Sequence, residues 1–152
     1  MAIRYAVANG NWSSTATWDG GTLPASSDDV YSNNFTVTID QNITVNRLRT
    51  IANGSPAIAA GGGFSIATGV TVSITAGIAA ADHTLTRGPL IGVTGSGTVT
   101  INANVTGNGG SGVVAITALS TFTGALNLNG NLTGGSNSGG FYTSHALSVA
   151  AN

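Results

Sequence analysis

Gly97-Thr-Val-Thr-Ile-Asn-Ala-Asn-Val-Thr-Gly-Asn-Gly-Gly-Ser-Gly112 returns further along the chain as Gly124-Ala-Leu-Asn-Leu-Asn-Gly-Asn-Leu-Thr-Gly-Gly-Ser-Asn-Ser-Gly139, an offset of 27 residues (124 − 97). Gly97, Asn102, Asn104, Thr106, Gly107, Ser111 and Gly112 each meet the same residue type one period on. One period earlier, Val72, Ile74 and Ile78 underlie Val99, Ile101 and Val105, and the next copy is Leu126, Leu128 and Leu132. A fixed interval of this length is the signature of stacked repeats. Within each copy apolar residues alternate with Thr, Ser and Asn, the period of a strand and not of a helix. The expectation is an all-β chain, a parallel β-solenoid (β-helix) with rungs of about 27 residues.

Composition agrees with stacking. Hydrophobic residues make up 41% of the 152, enough for one domain with a core, and the 23 glycines fall mostly between the alternating runs. Only 6% of residues are charged, against roughly 25% in an average globular domain. Seven of the nine lie before residue 50: Arg4, Asp19, Asp28, Asp29, Asp40, Arg47 and Arg49. Equivalent side chains on successive rungs lie roughly 4.8 Å apart. Like charges at that spacing repel by about 1 kcal/mol in water, whereas amides and hydroxyls stack without that cost.

Whole classes of function are disfavoured on the same grounds. No cysteine is present, so disulfides, thiol catalysis and thiolate metal sites are absent. A net charge of −1 without a basic patch argues against nucleic acid. No apolar run approaches the roughly 20 residues of a membrane helix, and the first ten residues lack the basic start and apolar run of a secretory signal. Gly61-Gly-Gly63 lacks the Lys-Ser/Thr of a phosphate loop. No cofactor or metal is expected.

Residues 1–34 differ from the rest. They hold Trp12 and Trp18, three of the five aspartates and abundant turn residues. They read as a cap over the first rung, with the tryptophans as its plug; a sugar-stacking platform is the other reading of those rings. Residues 35–152 form the solenoid. In its first rung Phe35, Val37, Ile39, Ile43 and Val45 point inward, and Asp40-Gln-Asn42 turns a corner. Arg47 and Arg49 flank Leu48 and pair with Asp28, Asp29 or Asp40, or grip a partner. Residues 79–97 carry Asp82, His83 and Arg87 and read as a protruding loop that contacts a neighbouring subunit. Near the end, Phe141-Tyr142 falls opposite Val113-Val114 at offset 28 and begins a further rung. His145 reads as structural.

The order Gly10-Asn-Trp12, Thr17-Trp18-Asp-Gly20-Gly21, Pro24, Asp28-Asp29-Val30 and then Val37-Thr-Ile39-Asp40 resembles the opening of β-solenoid domains on bacterial surface proteins and phage virions, among them the eight-glycine domain of large surface proteins. The start Met1-Ala-Ile-Arg-Tyr-Ala-Val-Ala-Asn-Gly-Asn-Trp12 is similar to the N-termini of virion structural proteins from cyanophages and other marine phages. The likeness covers roughly the first 50 residues. It implies a non-enzymatic virion protein made in the host cytoplasm, with a homotrimeric capsid decoration or cement protein on the exterior preferred to a tail-fibre part. Its partners would be other virion proteins such as the major capsid protein, or a host surface glycan, with no nucleic acid and no membrane. Trp12, Trp18, Arg47, Arg49, Asp82, His83, Arg87, Phe141 and Tyr142 are the candidate contacts. The competing expectations are a carbohydrate-binding adhesin using Trp12, Trp18, Tyr5, Tyr31 or Tyr142, and a polysaccharide-degrading enzyme using Asp28, Asp29, Asp82, His83 and Arg87. The enzyme reading lacks a second catalytic group on a matching rung.

Overall fold

In a computed structural model, described for residues 2–50, 63–76, 78–79, 88–106, 113–133, 141–143 and 147–149, the chain is a parallel β-solenoid. The N-terminal part contributes β1 (Ile3–Tyr5), β2 (Gly10–Asn11), two 3-10 turns (Thr15–Thr17 and Asp19–Gly21) and β3 (Asp29–Tyr31). Triplets of strands follow: β4 (Thr36–Ile39), β5 (Ile43–Val45) and β6 (Arg47–Arg49), then β7 (Gly63–Ile66), β8 (Thr71–Ile74) and β9 (Ile78–Ala79). The next triplets are β10 (Gly88–Gly95), β11 (Thr98–Ile101) and β12 (Val105–Thr106), then β13 (Val113–Phe122), β14 (Ala125–Leu128) and β15 (Leu132–Thr133). Strands β16 (Phe141–Thr143) and β17 (Leu147–Val149) complete the series.

Corresponding strands of successive triplets pair in parallel. One sheet runs β16-β13-β10-β7-β4-β2, a second β17-β14-β11-β8-β5, a third β15-β12-β9, and β1-β3-β6 form a small sheet beside the first turn. The period is written in the register. Val72 pairs with Val99 and Val99 with Leu126, both at offset 27 (99 − 72; 126 − 99), and Ile78, Val105 and Leu132 repeat that spacing. Alternation explains the core. In β4, β8, β11 and β14 the second and fourth residues are buried and the others are not. Columns such as Val37–Phe64–Val93 and Ile74–Ile101–Leu128 therefore run along the axis. Each fully buried aliphatic side chain contributes about 1.5–3 kcal/mol relative to exposure.

Outward-facing polar groups are tied from turn to turn. The Asn129 amide donates to Asn102 Oδ1 (2.8 Å), and Asn102 donates to Ser73 Oγ (2.7 Å). Asn42 and Asn104 each accept a backbone N–H from the next turn, that of Thr71 and Asn131 respectively. Corner amides thus satisfy main-chain donors that leave the sheets between strands.

The structure alters the sequence expectations in two places. Residues 88–95, expected within a protruding loop, are strand β10, paired with both β7 and β13. Pro89 and three glycines hide it in sequence. Pro89 is tolerated because β7 meets β10 only from Val93 onward, and a proline at a strand's start forfeits little of the ladder. Second, Phe141 lies opposite Ile116 and Tyr142 opposite Thr117, at offset 25 (141 − 116), not opposite Val113-Val114. The same offset of 25 (116 − 91) already relates Ile91 to Ile116 where β10 pairs with β13. The N-terminal segment itself lies against the first rung at the repeat interval. Gly10 pairs with Val37, Thr36 N–H donates to Asn9 Oδ1, and Ser13 binds Asp40, all at offset 27.

Candidate functional site

The first 50 residues gather seven of the chain's nine charges, both tryptophans and two of its tyrosines, so their geometry decides which side chains are open to a partner. Trp12 extends the column that Ile39 and Ile66 begin, since its N–H donates to Thr38 O one step beyond the β2–β4 pairing. Trp18 meets Trp12 edge-on, with ring centroids 4.8 Å apart at 71°, and its indole N–H donates to Trp12 O at 2.9 Å. The rings are 2% and 1% exposed. They plug the end of the core and present no surface, so neither a subunit contact nor a sugar-stacking platform exists at Trp12 or Trp18.

The aspartates are consumed in the same way. Asp28 accepts the N–H groups of Ala2 and Ala25 at 2.9 and 3.0 Å, and Arg4 lies 3.7 Å away. Those two amides, joined by Arg4 and working against burial, hold its carboxyl below the usual carboxylate range. Asp29 accepts from Asn46 at 2.7 Å and from Arg47 at 3.3 Å. Asp19 accepts the Tyr5 N–H at 2.8 Å, sealing part of the outer edge of β1. Asp40 takes both the N–H and the hydroxyl of Ser13. Burial pushes the Asp40 carboxyl up, but the Ser13 bonds outweigh it and the net shift is down.

Arg47 therefore pairs with Asp29, as its flanking position implied. Arg49 does not face solvent; it is 3% exposed, which corrects its expected role as an open contact. The register sets Tyr5, Tyr31 and Arg49 in one column across β1, β3 and β6, with Ile3, Asp29 and Arg47 in the column beside it. Val30 and Leu48 occupy the buried opposite face. This outer face is the best candidate for a contact surface among the described residues. Tyr5 and Tyr31 are half-buried, and Ile3 and Val7 are the exposed large apolar side chains nearby, at 53% and 51%. The two tyrosine rings lie 5.2 Å apart, tilted by 30°, within the range of favourable aromatic pairs. Burial raises the Tyr31 hydroxyl's pKa, against the nearby Arg49, so it is a neutral donor. Sequence reasoning named both tyrosines separately; their pairing at offset 26 (31 − 5) departs from the 27-residue repeat and left no signal in it.

Asp82, His83, Arg87 and His145 lie outside the described residues. Phe141 and Tyr142 are placed in β16 through their backbone alone. No group of three or more His, Cys, Asp or Glu able to hold a metal occurs among the described residues, and no helix there is long and apolar enough to cross a membrane. The sequence matches no known protein family, curated protein or solved structure.

Proposed function

We propose that this chain is a non-enzymatic structural protein of a phage virion, a capsid decoration protein that assembles as a homotrimer on the outside of the shell. The observation that supports the non-enzymatic part is the use of the four acids among the described residues. Asp19, Asp28, Asp29 and Asp40 each accept internal hydrogen bonds that hold the first turn together. Asp28 and Asp40 are held ionised by those bonds, their pKa values lowered, which makes them poor general acids or bases near neutral pH. The virion part rests on the resemblance of the first 50 residues, with which a neutral, stacked and rigid framework is compatible. The contact surface in this reading is the outer face bearing Ile3, Tyr5, Tyr31 and Arg47.

The test is assembly. The purified protein is expected to sediment as a trimer at micromolar concentration and to bind phage shells that lack it, giving regular added density in electron micrographs. A stable monomer that leaves such shells bare would overturn the reading. Glycan binding is the second reading, favoured by the pairing of Tyr5 with Tyr31 on one face. Binding to a glycan array that is abolished by Tyr31→Ala would move the assignment to an adhesin.

A further inference from the structure

We propose that Asn129 is a site of spontaneous covalent modification, deamidation through a cyclic imide formed with Gly130. The chain contains four Asn-Gly pairs, at Asn9, Asn53, Asn108 and Asn129; those at Asn53 and Asn108 lie outside the described residues. The fold treats the other two differently. Asn9 has its side-chain oxygen bound by the Thr36 N–H at 2.8 Å, and Gly10 is already in strand β2. Asn129 and Gly130 both lie between strands β14 and β15, and Asn129 is exposed. A side chain at position 130 would collide with the carbonyl oxygen of Ala103 on the turn beneath. Stacking therefore dictates glycine after an exposed asparagine, and glycine leaves its own nitrogen least hindered as a nucleophile.

The chemistry needs only water. The Gly130 nitrogen gives up its proton and attacks the Asn129 side-chain carbon. The bond from that carbon to Nδ2 breaks, and the nitrogen leaves as ammonia, carrying the proton. Water then opens the imide at either carbonyl, to aspartate or to an isoaspartyl link through the side chain. In both products the donor that binds Asn102 Oδ1 is gone. In the aspartyl product a carboxylate oxygen stands in its place; in the isoaspartyl product the side-chain carbonyl has become main chain and the free carboxylate is on the α-carbon. The carboxylate is also the first charge after Arg87, in a stretch that otherwise has none. The isoaspartyl link lengthens the main chain by one carbon immediately before Asn131 N–H reaches Asn104 and β15 pairs with β12. The reaction thus loosens one corner of the stack irreversibly, on a clock set by time in solution.

The experiment incubates the full chain in mildly alkaline buffer and maps peptides by mass, with isoaspartyl groups labelled enzymatically. The expected result is conversion at Asn129 ahead of Asn9, with net charge moving from −1 to −2. Asn129→Gln is expected to abolish the label at that position. Asn129→Asp, which installs the product charge directly, is expected to lower the thermal midpoint. No conversion at Asn129, or conversion that trails Asn9, would overturn the proposal; an unchanged midpoint for Asn129→Asp would overturn the claimed loosening.

Discussion

Gly97 and Gly124 stand one period apart at the corner where the chain leaves one sheet for the next. A β-carbon on Gly124 would strike the carbonyl oxygen of Gly97, which is backbone and cannot swing aside. The repeated glycine is thus a consequence of rung spacing, because two turns meet there main chain to main chain. Gly20 is different. Its φ is +65°, and a β-carbon there would meet nothing within 4 Å, so its requirement is conformational alone. The two substitutions should separate. Gly124→Ala is expected to lose about 2–3 kcal/mol by overpacking, and Gly20→Ala about 1 kcal/mol from the left-handed backbone. Urea titration of both variants measures this; equal losses would mean that the corner is looser than its contacts imply. Gly95 combines both demands, with φ +90° and the Ile66 carbonyl against it, at the register shift between β10 and β13.

The small sheet of β1, β3 and β6 depends on one carboxylate for its closure. Asp28 draws in the main chain at Ala2 and Ala25 and neutralises Arg4, at 5% exposure. Its pKa is lowered from an ordinary 3.8, so the folded state prefers the ionised form more than the unfolded chain does. The resulting stability is fully present above pH 3.8 and is lost as pH falls through the lower folded value. Asp28→Asn keeps a single acceptor and should cost about 2 kcal/mol at neutral pH. It should also flatten the acid limb of the stability curve below pH 3.8. An unchanged acid limb in thermal melts of the variant would show that Asp28 is not the group that titrates. Such pairings explain what could be read from the chain beforehand. The columns through Val72, Val99 and Leu126 were legible because their alternation and interval are local and repeated. Strand β10 was not, because Pro89 and its glycines are turn-formers in isolation, and it is the pairing with β13 along the strand, joined by β7 from Val93 onward, that makes Gly88–Gly95 extended. The Tyr5–Tyr31 pair was hidden for a related reason: β1 and β3 follow an offset of 26 that no other pair among the described strands shares, so no repeat announced it.

Across the whole molecule, one constraint links composition to shape: whatever occupies an outward column is repeated about 4.8 Å away on the next turn. Thr44, Ser73, Thr100 and Asn127 form such a column on the sheet that contains β5, β8, β11 and β14, with none of them charged. Neutrality is then a condition for stacking and not a sign of low complexity. A double-mutant cycle at Thr100 and Asn127 tests this directly, since the two are paired in register. Thr100→Asp and Asn127→Asp are each expected to be mild, as both sites are only partly buried. Together they should lose about 1 kcal/mol beyond the sum of the singles, from repulsion across one strand spacing. The excess should shrink as salt is raised to about 1 M, where the screening length falls below that spacing. Pairing Thr100→Lys with Asn127→Asp should reverse its sign. Strict additivity in all three conditions would mean that the columns do not enforce neutrality, and the scarcity of charge beyond residue 50 would need a cause outside the fold.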